Sequence, residues 1–402
     1  MNKISRFIVS LSILQILWMA GIVPAYGGAQ ECTTAVVSGS ATADGKPLLW
    51  KNRDTDTLSN KVIFVKEQPY SYLALVNAAE TSGRQAWAGL NAMGFAIMNS
   101  VAYNLPAPED SKDMEGVLMA DALRTCATAD EFELFLKKNL GPGLGCQANF
   151  GVIDARGGAA IFEVHSSGYH RINAQDMPEK YIVNTNFARS GKEDLGKGYL
   201  RFDRASALFK KAPGNKISHD YIIQTVARDV GNALLNTPQP AEWKNLAADT
   251  PYWLFSENSP DRQWTSSAVV FQGVAKGDAK GETTMWVMLG EPLTTVAIPL
   301  WVKAGQPPAA LWEGETAPLC KESFRIKGII RPLKTDERKN YLDISKLDNR
   351  AGTGYLPGLL KLEHRIFEQT RTFLAAPRSP AELADFQQER AQEALAALKK
   401  IQ

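Results

Sequence analysis

The amino-acid sequence predicts an α+β fold: two antiparallel sheets between helical layers, followed by a helical tail. Three observations lead there. Strand-like segments come in hairpins and precede two consecutive helical segments, instead of alternating one for one with helices. A second group of strands follows those helices. Beyond Leu359 the pattern is helical almost to the end, with Ala, Leu, Glu and Gln dominating. Periodicity by itself leaves the stacking of the sheets undetermined.

The first hairpin starts at Glu31 and runs through Cys32-Thr33-Thr34-Ala35-Val36-Val37-Ser38-Gly39. It turns at Asp44-Gly45 and returns through Leu48-Leu49-Trp50-Lys51-Asn52-Arg53-Asp54. Its open end brings Cys32 beside the polar cluster Lys51 to Asp54. Strands are expected at 61–66 and 71–76 around Gln68-Pro69. Another pair, 85–90 and 95–101, flanks Asn91-Ala92-Met93-Gly94, where Gly94 supplies a positive φ. Helices are expected at 113–125, from the spacing of Val117, Leu118, Ala120 and Leu123, and at 130–138 after a Thr128/Asp130 cap.

The glycine-rich run 141–145 leads into strands at 149–154 and 159–164. With no GK[ST] and no helix after it, this run is not a phosphate cradle. A strand at 180–185 and helices at 199–210 and 218–230 follow. The aromatic-rich loop Trp243 to Trp264 either lines a pocket or belongs to the core. Strands at 267–273, 283–289 and 295–302 complete the sheet elements. Residues 315–350 read as polar and irregular. Helices at 359–373 and 380–401 close the chain, with packing or dimer contact as their expected role.

With 402 residues, 45% of them hydrophobic, the chain can bury a large core in one big domain or two. A net charge of +2 and the lack of basic runs interleaved with aromatics exclude a nucleic-acid surface. Cys32, Cys126, Cys146 and Cys320 show no C-x-x-C spacing, so neither a zinc site nor a disulfide scaffold is expected. No metal and no cofactor are implied.

Residues 1–29 carry a basic start (Lys3, Arg6), an apolar run from Phe7 to Val23 and a small-residue stretch, the parts of a secretory signal peptide. An exported protein, periplasmic or secreted, is therefore expected, without a stable membrane span once the signal is removed. Residues 30–31 would be a short propeptide, 32–310 the catalytic domain and 311–402 a mostly helical extension.

Removal of the first 31 residues would make Cys32 the chain start, and a first-position cysteine is a complete small catalyst. Its α-amine, with a pKa of about 7.7–8.0 when unperturbed, can take the thiol proton without any histidine. Asp54 can hold that amine, and the neutral amides Asn99 and Asn186 can serve an oxyanion. Arg201 or Arg53 can lower the thiol pKa. Asp54, Asn52, Asn99 and Asn186 also fit turn or strand-end capping, and Arg201 a surface ion pair. Two other readings stand: a Cys-His hydrolase using Cys146 or Cys32 with His165 or His170, and a non-catalytic envelope binding protein.

Four stretches resemble one family in order. Cys32-Thr33-Thr34-Ala35 with Asn52-x-Asp54 is similar to the mature start of N-terminal-nucleophile (Ntn) cysteine amidohydrolases. Within these, the resemblance is to the isopenicillin-N acyltransferase group (peptidase family C45, with carcinine-hydrolase-like proteins). Choloylglycine hydrolases and penicillin V acylases are more distant. Gly89-Leu90-Asn91-x-x-Gly94-Phe95-Ala96-x-x-Asn99, Val183-Asn184-Thr185-Asn186 and Arg201-Phe202-x-Arg204-Ala205 are similar to the later motifs.

The resemblance covers residues 32–302 and implies a four-layer αββα sandwich. It implies an amide hydrolase or acyltransferase acting on a small-molecule amide through a thioester on Cys32. Catalytic roles fall to Cys32, Asp54, Asn99, Asn186 and Arg201, with Lys51, Asn52 and Arg53 in support. Two departures stand out: Lys51 occupies a place where the choloylglycine branch usually has arginine, and Glu31 precedes Cys32 where self-cleaving relatives often have glycine.

Overall fold

The computed structural model describes residues 31–108, 113–278 and 281–402; the expected signal peptide, residues 1–29, lies outside them. Extended, mostly apolar segments give β1 (Glu31–Val37), β2 (Leu48–Asp54), β3 (Asn60–Val65), β4 (Tyr72–Asn77), β5 (Ala88–Asn91) and β6 (Ala96–Val101). After two helices come β7 (Gln147–Ile153), β8 (Ala159–His165), β9 (Gly168–Asn173) and β10 (Tyr181–Asn184). Later strands are β11 (Trp253–Phe255), β12 (Thr265–Gln272), β13 (Thr284–Leu289), β14 (Ile298–Leu300) and β15 (Tyr341–Asp343). The helices of the layers are α1 (Glu115–Thr125), α2 (Ala129–Asn139), α3 (Tyr199–Lys210), α4 (Pro318–Ile330), α5 (Leu356–Phe373) and α6 (Pro380–Leu398).

The strands form two large antiparallel sheets. One is six-stranded, β10-β1-β2-β12-β13-β14, and the other seven-stranded, β3-β4-β5-β6-β7-β8-β9. Alternation along β4 shows why they stack. Leu73 and Leu75 enter the core shared with the six-stranded sheet, while Tyr72, Ala74 and Val76 face the helices on the far side. Buried on both faces, such strands read as continuous apolar runs. Gly151 marks the close approach of the sheets: a Cβ there would sit 2.3 Å from Met98 Cε and 2.9 Å from Leu49 Cδ1.

Helices α1 and α2 cover the seven-stranded sheet through Leu118, Met119, Phe132 and Leu136. Thr128 caps α2, its hydroxyl accepting from the Glu131 amide. Helix α3 and the C-terminal helices cover the other sheet, through Ala205, Phe209, Ile366, Phe367, Ala391 and Leu398. The result is the expected α-β-β-α order with a helical tail.

Several segments differ from their sequence-based expectation. The helix expected at 218–230 is short: Ser218 caps a turn at His219–Tyr221, which widens into a π turn at Ile222–Val226. The chain then leaves helical form because Arg228 binds Glu363 and Asp229 binds Arg204. Residues 315–350 are not irregular throughout. Helix α4 was hidden because its buried face includes Ser323 and Lys327 as well as Leu319, Ile326 and Ile330. The strand expected at 295–302 is limited to Ile298–Leu300, and β15 pairs with β11 to tie residues 341–343 to the aromatic-rich loop.

Candidate active site

Cys32 is the second residue of β1, and the register of β1 with β2 sets its neighbours: Glu31 opposes Asp54, Cys32 opposes Arg53, and Thr34 opposes Lys51. Directly opposed residues share a face, so Cys32, Arg53 and Lys51 point between the sheets, whereas Glu31, Asp54, Thr33 and Asn52 point outward. The thiol side and the carboxylate side meet at the strand end.

On the inner side, the Lys51 ammonium places its positive charge close enough to the Cys32 thiol to favour the thiolate. It also donates to Trp87 O at 2.8 Å and to Asn99 Oδ1 at 2.6 Å. Asn99, on β6 of the facing sheet, passes the network on by donating from Nδ2 to Glu115 Oε2 at 2.6 Å. Arg53 lies over the Trp87 ring, 4.9 Å from its centroid, and donates to Asn60 Oδ1. Burial dominates the electrostatics here. It pushes the Cys32 thiol up, against the pull of Lys51 and of the Asp54 main chain. Burial lowers Lys51 to about 8 and Arg53 to about 10. Burial, then Asp113, raises Glu115 to about 8.

On the outer side, Asn186 stands just past β10, which pairs with β1. Its Oδ1 accepts from Cys32 N at 3.0 Å and from Arg201 Nη2 at 2.8 Å, while its Nδ2 donates to Val101 O at 2.9 Å. Arg201, from the first turn of α3, also donates to Cys32 O at 2.7 Å and to Glu31 Oε2 at 2.7 Å. Asp54 is held by Arg262 Nε at 2.7 Å and by the Thr265 hydroxyl at 2.8 Å, with Arg201 at 3.9 Å. Burial pushes the Glu31 carboxyl up, but Arg262, Arg201 and Lys197 more than offset this and hold it below its usual range.

The structure therefore brings all eight sequence-selected residues into one region, with differing duties. Asn52 donates to Ala227 O and Pro260 O, fixing the loop that carries Arg262. Asn99 and Asn186 each commit one of their two Nδ2 N–H groups, to Glu115 and Val101 respectively. Sequence reasoning missed Arg262, Glu115, Trp87 and the clamp on Glu31. Arg262 sits in the aromatic-rich loop with no periodic signal, and Glu115 looks like an ordinary first-turn helix acid.

Cys32 is only 6% exposed, and grooves of about 540, 360 and 400 Å3 open elsewhere on the described surface. Cys146 lies in the aromatic core, its thiol bonded to Leu144 O and pushed up by burial. His165 and His170 line a groove with Glu163 and Tyr169 that does not include Cys146. Among the described residues no group of three His, Cys, Asp or Glu side chains is placed to hold a metal ion. No helix among them is long and apolar enough to cross a membrane.

Residues 40–212 match the family model of acyl-coenzyme A:6-aminopenicillanic acid acyl-transferase. The match starts past Cys32 and spans less than half the chain. It agrees with the motif resemblance and supports a distant relationship to the Ntn-hydrolase superfamily of amidohydrolases and acyltransferases. No curated protein matches.

Among solved structures, a variant of conjugated bile acid hydrolase from Clostridium perfringens is 13% identical, with a TM-score of 0.38, over 63% of this chain and 88% of its own. An N-acylethanolamine-hydrolyzing acid amidase ortholog of Caenorhabditis elegans is 13% identical, TM-score 0.39, over 62% and 94%. Penicillin V acylase from Agrobacterium tumefaciens is 14% identical, TM-score 0.35, over 67% and 86%.

Proposed function

We propose that this protein is an exported amide hydrolase or acyltransferase that works through Cys32 as its mature N-terminal residue. One observation carries the reading: Cys32 N is held by Asn186 Oδ1, and the Cys32 carbonyl by Arg201, inside a cluster of fixed charges. Cutting the Glu31–Cys32 bond turns that held nitrogen into an amine beside its own thiol. The domain scheme is a signal at 1–29, a two-residue propeptide, a catalytic unit at 32–310 and an extension at 311–402.

The chemistry follows from these positions. The α-amine takes the thiol proton, and Sγ attacks the substrate carbonyl carbon, forming a C–S bond. As the tetrahedral intermediate collapses the amide C–N bond breaks, and the proton passes from the α-ammonium to the leaving amine. Water or a second amine then takes the acyl group from sulfur. Lys51, whose charge acts on the thiol, balances thiolate charge, and Asn186 aims the amine without exchanging partners. An oxyanion role for Asn99 or Asn186 falls to the second N–H of Nδ2, since the first is bonded to Glu115 or to Val101 O.

The test combines the N-terminal mass of the purified protein with thiol variants. The mature chain is expected to begin at Cys32, and Cys32→Ser to lower amide turnover by several orders of magnitude. Cys146→Ser is expected to be nearly silent. An active chain that retains Glu31 would overturn the α-amine mechanism, and loss of activity only in Cys146→Ser would move the site.

A further inference from the structure

The Glu31 carboxylate is clamped by two guanidinium groups, Arg201 Nη2 at 2.7 Å and Arg262 Nη2 at 2.8 Å. Lys197 adds a third positive charge to its field. Both arginines are almost wholly buried, which is costly for a cation unless anions face it. Arg262 meets that need with Asp54 through Nε, Glu257 through Nη1 and Glu31 through Nη2. Arg201 Nη1 is spent on Cys32 O and Thr33 Oγ1, and its Nη2 on Glu31 and Asn186. In the intact chain, three cations (Arg201, Arg262, Lys197) face three carboxylates (Glu31, Asp54, Glu257). Removing Glu31 leaves three cations and two carboxylates, and takes from Arg262 Nη2 its carboxylate partner.

We propose that the Arg201–Arg262 clamp is the mature enzyme's subsite for a carboxylate on the acyl half of its substrate. This rests on the reading of Cys32 as the N-terminal nucleophile. Residue 31 is itself an acyl group joined to Cys32: its carbonyl lies at the nucleophile and its carboxylate at the arginines. An acyl-enzyme formed from an external amide is attached to the same residue. An acyl group with the glutamate spacing, three carbons between scissile carbonyl and carboxylate, reaches both places at once. Glutaryl and α-linked glutamyl amides have that spacing. Neutral acyl groups of the same length leave Arg262 Nη2 without its anion.

The test compares the N-glutaryl anilide with its uncharged carboxamide analogue on the mature, Cys32-starting protein. The glutaryl substrate is expected to be favoured about 10- to 100-fold in kcat/KM, the range for charge-assisted hydrogen bonds. The preference should vanish in Arg262→Gln and persist in part in Arg262→Lys. Because Arg262→Gln also loosens Asp54 and can fail to fold, a second readout uses wild type alone: free glutarate should slow alkylation of Cys32 by iodoacetamide, and glutaramide should not.

Equal turnover of both anilides by a chain starting at Cys32, with no protection by glutarate, overturns the carboxylate subsite and leaves the nucleophile reading intact. A chain that keeps Glu31 while turning over either anilide removes the nucleophile reading, and the subsite falls with it.

Discussion

At the scale of single residues, the site is governed by burial acting on titratable groups that share one network. Lys51, Asn99 and Glu115 form a continuous hydrogen-bonded chain across the two sheets, Lys51 adds its charge at Cys32, and Asp113 acts on Glu115. Its pH behaviour can be signed. Folded Glu115 keeps its proton up to about 8, whereas the unfolded carboxyl releases it near its ordinary value of 4.5. Between those values the native state binds more protons, so this contribution to stability is complete below 4.5 and lost as pH rises toward 8. Glu115→Gln keeps an acceptor for Asn99 but cannot titrate. Urea midpoints at pH 5 and pH 8 are therefore expected to show the variant gaining on wild type as pH rises, with a slope of at most about 1.4 kcal/mol per pH unit. Parallel pH profiles would show that Glu115 is not protonated in the native state. Lys51, lowered to about 8, acts in the opposite sense and above that pH, and Glu257 and Asp261, also raised by burial, titrate in wild type and variant alike, so the difference between the two isolates Glu115. Cys32, Lys51 and Asp54 were legible in the sequence because one hairpin register joins them. Glu115 was not, since nothing local distinguishes it from a helix-starting acid until β6 lies against it.

At the scale of elements, the site depends on how α3 begins. Gly198 precedes it with φ +80°, in the left-handed region, and the three residues that follow bring Arg201 back over β1. A Cβ at Gly198 would lie 2.5 Å from Arg201 Nη2 and 3.0 Å from Thr185 Cβ. Gly198→Ala thus strains the backbone by about 1–2 kcal/mol. It also displaces the guanidinium that holds Cys32 O and Asn186. Because small misplacements of a positioning group are costly, kcat/KM on a reactive amide is expected to fall by up to about 100-fold. The melting midpoint should drop only modestly. Wild-type kcat/KM in that variant would show that Arg201 reaches its place without the cap. The span of α3 was expected at 199–210, as found, but its approach to Cys32 was not readable, since a helix start carries no record of which strand it will face. The π turn at Ile222–Val226 was unreadable for a related reason: Arg228 and Asp229 abandon helical form for partners remote in the sequence.

At the scale of the whole molecule, the fold class was legible because hairpin-rich strand groups and helix groups alternate in blocks, whereas the stacking of the two sheets came only from the family resemblance. The placement of the tail was not legible. Helices α5 and α6 add Leu359, Ile366, Phe367, Ala391 and Leu398 to the same core as β1, β2 and β12. One buried ion pair pins this arrangement. Glu363 of α5 binds Arg228 through both carboxylate oxygens, each at 2.8 Å, and accepts from the Ala297 amide at 2.8 Å. Arg228 also donates to Pro292 O, Thr295 O and Ile223 O, so a single side chain ties the turn after Val226, the β13–β14 connection and the tail. Deleting one partner of such a pair strands the other charge in a dry interior, which costs about 3–5 kcal/mol. Glu363→Ala is expected near the low end of that range, since three carbonyls still face the guanidinium. A double change, Arg228→Met with Glu363→Leu, removes both charges and should recover much of the loss, because apolar packing of similar volume replaces a pair that is expensive to desolvate. Denaturant midpoints of the single and double variants measure this. A loss below about 1 kcal/mol for Glu363→Ala, within the range of a surface pair, would show that water reaches Arg228 and that the tail is held by its apolar face alone.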